Sequence, residues 1–346
     1  MDSLERVRTA LSGGRPDRVP CALGFFPQSL FGAADADELF GTDVRFVEFD
    51  PPREQGRFLA YLETLPADVH VGSQAQLRTY QEWGYHPANG STHPVGRLQS
   101  VADWARGLLP DLPDSRRYEG LAGRVGRLHD RGLAVAGSPP HLGGELFESA
   151  WRLRGFERFM KDLVREPELV GYLLDQLTAL ATENAIVLAR SGVDVLLLDD
   201  DVAYGGGLLI SPDTWRRFFK PRLARIVEAA REAAPDLLVF YHSDGDFTRL
   251  LPDLVELGVN VVNPVAPDCM DAAAIRRTFG ERLALWGTIG TAVTWDLGTP
   301  AQMRGEVGQR IQSVGKSGLL LSPAYDLDFA PRENVAAFVQ AVLEFG

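Results

Sequence analysis

Short aliphatic runs recur along this chain, each followed by a polar or glycine-rich turn and then by apolar residues at helical spacing. Candidate strands are residues 19–25, 68–72, 133–136, 193–198, 237–241, 260–262, 283–286 and 319–321. Several are almost continuously apolar, as strands covered on both faces are. Between them lie helical patterns at 156–160 and 168–189. Ser211 at an N-cap and Pro212 at a first helical position open another helix, which continues past Pro221 toward Ala233. Residues 247–257 end at Gly258 and residues 271–279 end at Gly280, both good helix stops. Thr299 and Pro300 open a helix to Val314, and Pro331 opens the last one.

Eight strands alternating with helices predict a (β/α)8 TIM barrel in a single domain spanning 1–346. An open doubly wound sheet would carry a glycine-rich phosphate loop after its first strand, and Gly24-Phe25-Phe26-Pro27-Gln28 is not one. Residues 76–126 break the pattern. Gln81-Glu82-Trp83-Gly84-Tyr85 and Ser91-Thr92-His93-Pro94-Val95 read as short polar strands or a hairpin, and 111–114 as a proline-rich turn. The expectation is an insertion between strands two and three, over the barrel mouth or at a dimer contact.

The chain has 346 residues, 45% of them hydrophobic, which is ample for one large core. Its 35 Lys and Arg against 47 Asp and Glu give a net charge of -12. An acidic surface of that size repels phosphate backbones and anionic headgroups, so nucleic acid and membranes are not expected partners. The N-terminus lacks a signal-peptide pattern, and no apolar run approaches the ~20 residues of a membrane span, so a cytoplasmic protein is expected. Cys21 and Cys269 form neither a disulfide framework nor a zinc knuckle. Cys21 reads as core, and Cys269 lies on a helix approach.

Barrel active sites sit at the C-terminal ends of the strands. Strand four ends in Asp199-Asp200-Asp201, strand five in His242-Ser243-Asp244, strand six in Asn263 and strand eight in Tyr325-Asp326. In extended backbone, residues two apart point the same way, so His242 and Asp244 can reach one site, as an acid/base pair or as two metal ligands. Gly245 then lets the chain turn away. The competing reading is a histidine satisfied by a helix-capping aspartate. Alternation along strand four selects Asp200 as the aspartate facing the mouth, with capping or an arginine partner for the others. Asn263 either meets the substrate or braces its loop. Glu145 and His141 follow strand three and could face the same cavity. Trp151, Trp215 and Trp286 read as packing.

Taken together, these segments resemble the uroporphyrinogen decarboxylase superfamily, which includes corrinoid-linked methyltransferases. The resemblance rests on His242-Ser243-Asp244-Gly245-Asp246 with Leu251-Pro252-Asp253-Leu254, and on Gly258-Val259-Asn260-Val261-Val262-Asn263-Pro264. Leu208-Leu209-Ile210-Ser211-Pro212 leading to Phe219-Lys220-Pro221-Arg222, then Trp286-Gly287-Thr288-Ile289, add to it. So do Ser322-Pro323-Ala324-Tyr325-Asp326-Leu327 and Pro331-Arg332-Glu333-Asn334-Val335. The family's porphyrinogen decarboxylases carry arginines after the first strand to grip substrate carboxylates. Here that place reads Phe25-Phe26-Pro27-Gln28-Ser29-Leu30. The thiol methyltransferases hold zinc with a His-x-Cys pair and a later cysteine, where this chain has His242, Asp244 and Tyr325.

The leading expectation is a decarboxylase acting on a small or medium carboxylated molecule, not necessarily uroporphyrinogen, with no cofactor. His242 and Asp244 would supply the proton, Asp200 would stabilise a developing cationic ring, and Tyr325 would hydrogen-bond the substrate. Asn263, Glu145, Gln28 and Phe25 would line the site. The alternative is a methyltransferase or demethylase with zinc on His242, Asp244 and Glu145, and with a corrinoid on a separate partner protein. A third reading, a silent barrel scaffold, sits poorly with polar residues at several strand ends. The resemblance also implies a homodimer.

Overall fold

The computed structural model describes residues 1–33, 35–50, 99–104, 115–141, 143–325, 327 and 329–346. Seven strands form one parallel sheet: β1 (Val44–Val47), β2 (Ala134–Gly137), β3 (Val195–Asp199), β6 (Leu238–His242), β7 (Val261–Asn263), β8 (Ala284–Ile289) and β9 (Leu319–Pro323), in that spatial order. A two-residue hairpin, β4 (Ala203–Tyr204) with β5 (Gly207–Leu208), projects beyond β3. The sheet curls until its two edge strands flank one segment, Pro20 to Ala22. Ala22 N–H donates to Leu321 O at 3.1 Å, Leu321 N–H to Pro20 O at 3.0 Å, and Asp43 N–H to Cys21 O at 2.9 Å.

Alternation fixes which residues fill the curl. Ala22, Val44, Ala134, Ala136, Val195, Leu197, Leu238, Phe240, Val261, Ala284, Trp286 and Leu320 pack together as one inner cluster. The helix Ser3–Leu11 contributes Val7 and Leu11 to the same cluster, at the end where the strands begin. A larger cluster lies between the outer face of the sheet and the surrounding helices. The helix starts follow the expected signals. Ser211 accepts from Thr214 N–H, Asp271 from Ala274 N–H, and Thr299 with Gln302 forms a capping box.

Two readings of the strands change. The 19–25 run makes only an isolated bridge, Cys21 to Leu321, rather than a full strand. A strand not foreseen, β1, lies at Val44–Val47. Its pattern is disguised by Arg45, which is 4% exposed because its guanidinium is taken up by Glu38 and by the Thr42 and Val44 carbonyls. The strand expected at 68–72 lies outside the described residues, as do 76–98 and 105–114 of the expected insertion. At the far end of that stretch, the helix Leu121–His129 packs on β1 and β2. No helix among the described residues is long and apolar enough to cross a membrane.

Asp43 pins the junction where the sheet edges meet. Fully buried, it takes Arg6 at 2.8 Å, Arg18 at 2.7 Å, Ser3 Oγ at 2.7 Å and the Cys21 N–H at 2.9 Å. Removing one partner of a buried ion pair strands the other charge. Asp43→Ala is therefore expected to lower stability by about 3 kcal/mol, read as a fall in the urea midpoint. A midpoint unchanged within error would show that Asp43 is not the pin.

Candidate active site

Register assembles the site. Asp199, the last residue of β3, pairs with His242, the last of β6, which pairs with Asn263, the last of β7. Each stands two residues beyond an inner-cluster member (Leu197, Phe240 and Val261), so the three side chains form the next inward row, at the C-terminal mouth. The same parity turns Asp200 away. Its carboxylate accepts the Phe147 N–H at 2.9 Å and the Glu148 N–H at 3.0 Å, covering the start of the helix Phe147–Arg154. The expectation that Asp200 faces the mouth is corrected by one residue, since β3 ends at Asp199 and places Asp199 in the row.

His242 is 5% exposed and held in one orientation. The Asn263 Nδ2 donates to the Trp286 carbonyl at 2.9 Å, which fixes its Oδ1 against His242 Nδ1 at 2.5 Å. A carbonyl can only accept, so this relay puts the proton on Nδ1 and points Nε2 at the mouth. Around Nε2 stand Asp201 Oδ1 at 3.5 Å, Asp244 Oδ1 at 3.5 Å and Asp199 Oδ1 at 3.9 Å. Phe25 stacks on the imidazole, ring centres 4.4 Å apart and planes 23° from parallel. Gly245, at φ +80°, lets the chain turn away past the Tyr204 backbone, where a Cβ would collide.

The loop after β2 closes the other side. Glu145, 5% exposed, accepts the Asp199 N–H on Oε2 at 2.6 Å, and its Oε1 is buried without a hydrogen-bond partner. His141 Nε2 lies 4.0 Å from Asp199 Oδ2. Gly144 passes so close to the end of β3 that a Cβ would lie 2.8 Å from both the Asp199 carbonyl and the Asp200 carboxylate. Glu148 pairs with Arg152 at 3.1 Å.

Among the described residues around Nε2, acids therefore far outnumber bases, and protonation equilibria move accordingly. Burial pushes Glu145 and Asp199 well above the usual carboxyl range, Glu148 up to about 8 and Asp200 to about 7. Burial works against the charge on His242, yet Asp199, Asp201 and Asp244 hold its pKa well above the ordinary value. Burial also acts on Asp201, but the hydrogen bond and charge of His242 bring it below its usual range. His141 falls to about 4, through burial and the nearby charges of Arg152 and His242, and is neutral.

Other expected residues take different places. Asn263 is fully buried behind His242, with both ends of its amide engaged, so it orients the histidine rather than meeting a substrate. Gln28 is 6% exposed and donates to the Leu23 carbonyl at 2.6 Å, a brace within its loop. Tyr325 lies at the rim, 36% exposed and hydrogen-bonded to Cys269, with its pKa raised by burial and by Asp244. Asp326 lies outside the described residues. Asp199 and Asp201 were masked in the sequence by the run of three aspartates. Only the strand end decides which of them face inward.

The family model for uroporphyrinogen decarboxylase (URO-D) matches residues 133–345. The chain belongs to the uroporphyrinogen decarboxylase family. A uroporphyrinogen decarboxylase of Legionella pneumophila is 28% identical over 244 residues, covering 68% of this chain and 66% of that protein. The methylcobamide:CoM methyltransferase of Methanosarcina barkeri is 27% identical over 187 residues, covering 54% of this chain and 52% of that protein. A methyltransferase structure from Methanosarcina mazei aligns over 100% of this chain and 99% of its own, with a TM-score of 0.68 and 18% identity, which shows a shared fold. The family thus holds enzymes of two chemistries, and its members' names do not choose between them here.

Asp200→Ala leaves two helix-end N–H groups without their acceptor, and is expected to cost about 1–2 kcal/mol of stability. The check is a urea titration alongside a near-ultraviolet spectrum of the mouth aromatics. An unchanged midpoint would return Asp200 to the mouth.

Proposed function

We propose that this member of the uroporphyrinogen decarboxylase family is a metal-dependent methyl-transferring enzyme that works with a separate corrinoid protein. The observation that carries the reading is the triad of Asp199, Asp201 and His242, whose potential ligand atoms lie within 4.8 Å of one another. The donor set fits a divalent cation. Asp199 Oδ1 is buried with no hydrogen-bond partner, and the His242 Nδ1 proton is already committed to Asn263, which leaves Nε2 as a donor. Thiolates are not part of it: Cys21 is buried in the core, and Cys269 bonds Tyr325 at the rim. One imidazole with carboxylates suits manganese, iron or zinc, rather than a thiolate-rich zinc centre.

His242, Asp199 and Asp201 would hold the cation, with Asp244 at its edge and Asn263 keeping the imidazole in register. A divalent cation there supplies Lewis-acid activation of a substrate heteroatom. Phe25 covers one face of the imidazole and limits water on that side. The 27% identity to a methylcobamide-dependent methyltransferase supports the partner assignment. A complete eight-stranded barrel, closed through Pro20 to Ala22, belongs to the same reading, as do homodimers and a cytoplasmic location.

Decarboxylation is the second reading, and one observation favours it. Glu148, protonated near neutral pH, and the His242–Asp201 pair are buried proton donors. Against it stands the charge of the mouth. Among the described residues, Arg152 is the guanidinium at the mouth and is already paired with Glu148, so little is offered there to grip a substrate carboxylate.

Metal content decides between the two. Elemental mass spectrometry on dialysed protein is expected to find stoichiometric divalent metal, lost in His242→Ala. No stoichiometric metal in the wild type would overturn the methyl-transfer reading in favour of acid/base decarboxylation. Binding must also displace protons from His242 and Asp199, whose folded pKa values lie above their ordinary ones. Affinity should therefore rise as pH is raised and those groups give up their protons, and a flat profile by calorimetry would contradict the ligand set.

A further inference from the structure

The anchor behind His242 starts from a hydrogen bond that Pro264 cannot make. β7 and β8 are paired with Val261 opposite Ala284 and Val262 opposite Leu285. At the near end of this pairing the Ala284 N–H donates to the Asn260 carbonyl at 2.8 Å, and at the far end the Thr288 N–H donates to the Pro264 carbonyl at 2.9 Å. Parallel ladders space their bonds evenly. Continued between those two bonds, the register sets the Trp286 carbonyl opposite the N–H position of residue 264. Proline has no N–H to give. The Trp286 carbonyl therefore lacks its ladder donor inside a fully buried layer, where an unpaired carbonyl is costly.

Asn263 supplies the missing donor. Its Nδ2 donates to the Trp286 carbonyl at 2.9 Å, which leaves its Oδ1 facing His242 Nδ1 at 2.5 Å. The carbonyl decides which way round the amide lies. Turned over, the amide would set Oδ1 against the carbonyl, acceptor against acceptor, and would offer a donor to His242 Nδ1. β8 is shaped to keep this contact close. Gly287, at φ +119°, lies where a Cβ would collide with the Pro264 carbonyl. Thr288 is held at φ +73°, a conformation uncommon for a β-branched residue, and its N–H is the one that reaches Pro264.

We propose that Pro264 is a positioning residue for His242. By withholding an N–H from the Trp286 carbonyl, it assigns that carbonyl to the Asn263 amide, and so keeps the histidine proton on Nδ1 and Nε2 toward the mouth. Pro264 acts through Asn263 and touches no substrate. The proposal rests on His242 as the working residue of the site, and holds whether Nε2 meets a cation or passes a proton. An N–H at position 264 would compete for the same oxygen, loosen the amide and weaken the acceptor behind Nδ1.

The test uses the full, chelator-stripped chain with isotope-labelled histidine, reading solvent exchange of the His242 Nδ1 proton by nuclear magnetic resonance. The signal is assigned by its loss in His242→Gln. Pro264→Ala is expected to speed that exchange about tenfold, the weight of one buried hydrogen bond, and Asn263→Ala to do the same. In the Asn263→Ala background, Pro264→Ala is expected to add nothing, because the two act in series. An unchanged exchange rate in folded Pro264→Ala, as for a proline that merely ends β7, overturns the proposal. So does an effect that adds in full to that of Asn263→Ala. Should Pro264→Ala fail to fold, a neutron structure of the wild type reads the same point. Asn263 amide deuterons facing the Trp286 carbonyl and a deuteron on His242 Nδ1 are expected, and an amide turned the other way overturns the proposal. Both measurements are made without metal, so their failure leaves the metal-dependent function standing, and wild-type protein without stoichiometric metal leaves the role of Pro264 standing.

Discussion

The strand register Asp199–His242–Asn263 is the constraint on which the rest of the site depends. Parallel strands bring residues level only where their ladders agree, and here the ladder of β3, β6 and β7 places three polar side chains in one inward row directly above an apolar layer. A slip of one residue on β3 toward its start would put Leu198 where Asp199 stands and empty the row of its carboxylate. The register is in turn held by packing below it. Leu197, Phe240 and Val261 are essentially fully buried, and Phe240 packs edge-on against Trp286.

From that row the electrostatics follow. An imidazole anchored from behind by Asn263 cannot rotate to relieve itself, so the acids gathered at Nε2 must share protons or accept a cation. Burial, with a smaller push from neighbouring carboxylates, holds Glu145, Asp199 and Glu148 above the usual carboxyl range. The demand for protons and the affinity for metal are one property of the same buried charge. At the opposite end of the curled sheet the problem is solved differently. Asp43 and Asp194 are also buried acids, but each has cationic partners, Arg6 and Arg18 for the first and Arg8 for the second, and both serve stability. At the mouth Asp199 and Asp201 face the His242 imidazole instead of an arginine, and that contrast marks it as the functional end.

Much of this was legible in the sequence. The apolar runs leading into His242, Asn263 and Asp199 place the site, because long aliphatic stretches fix strands even when their limits shift by a residue. That one-residue shift is what misled the choice of Asp200: three consecutive aspartates carry no mark of which one ends the strand. Asn263 was legible as a mouth residue but not as the anchor of His242, since that role depends on the Trp286 carbonyl, 23 residues along the chain. β1 was hidden by a buried arginine whose charge is met by Glu38, in the short helix before it. Phe25 showed in the sequence at the end of the first candidate strand and as a lining residue, while its stacking on His242 exists only once the curl is formed.

The central claim is that the row at the strand ends holds a divalent cation. Crystals soaked in manganese and measured at its absorption edge test it most directly. The account predicts an anomalous peak among His242 Nε2, Asp199 and Asp201. A map without a peak there, or with its strongest peak at the rim beside Cys269 and Tyr325, would contradict it.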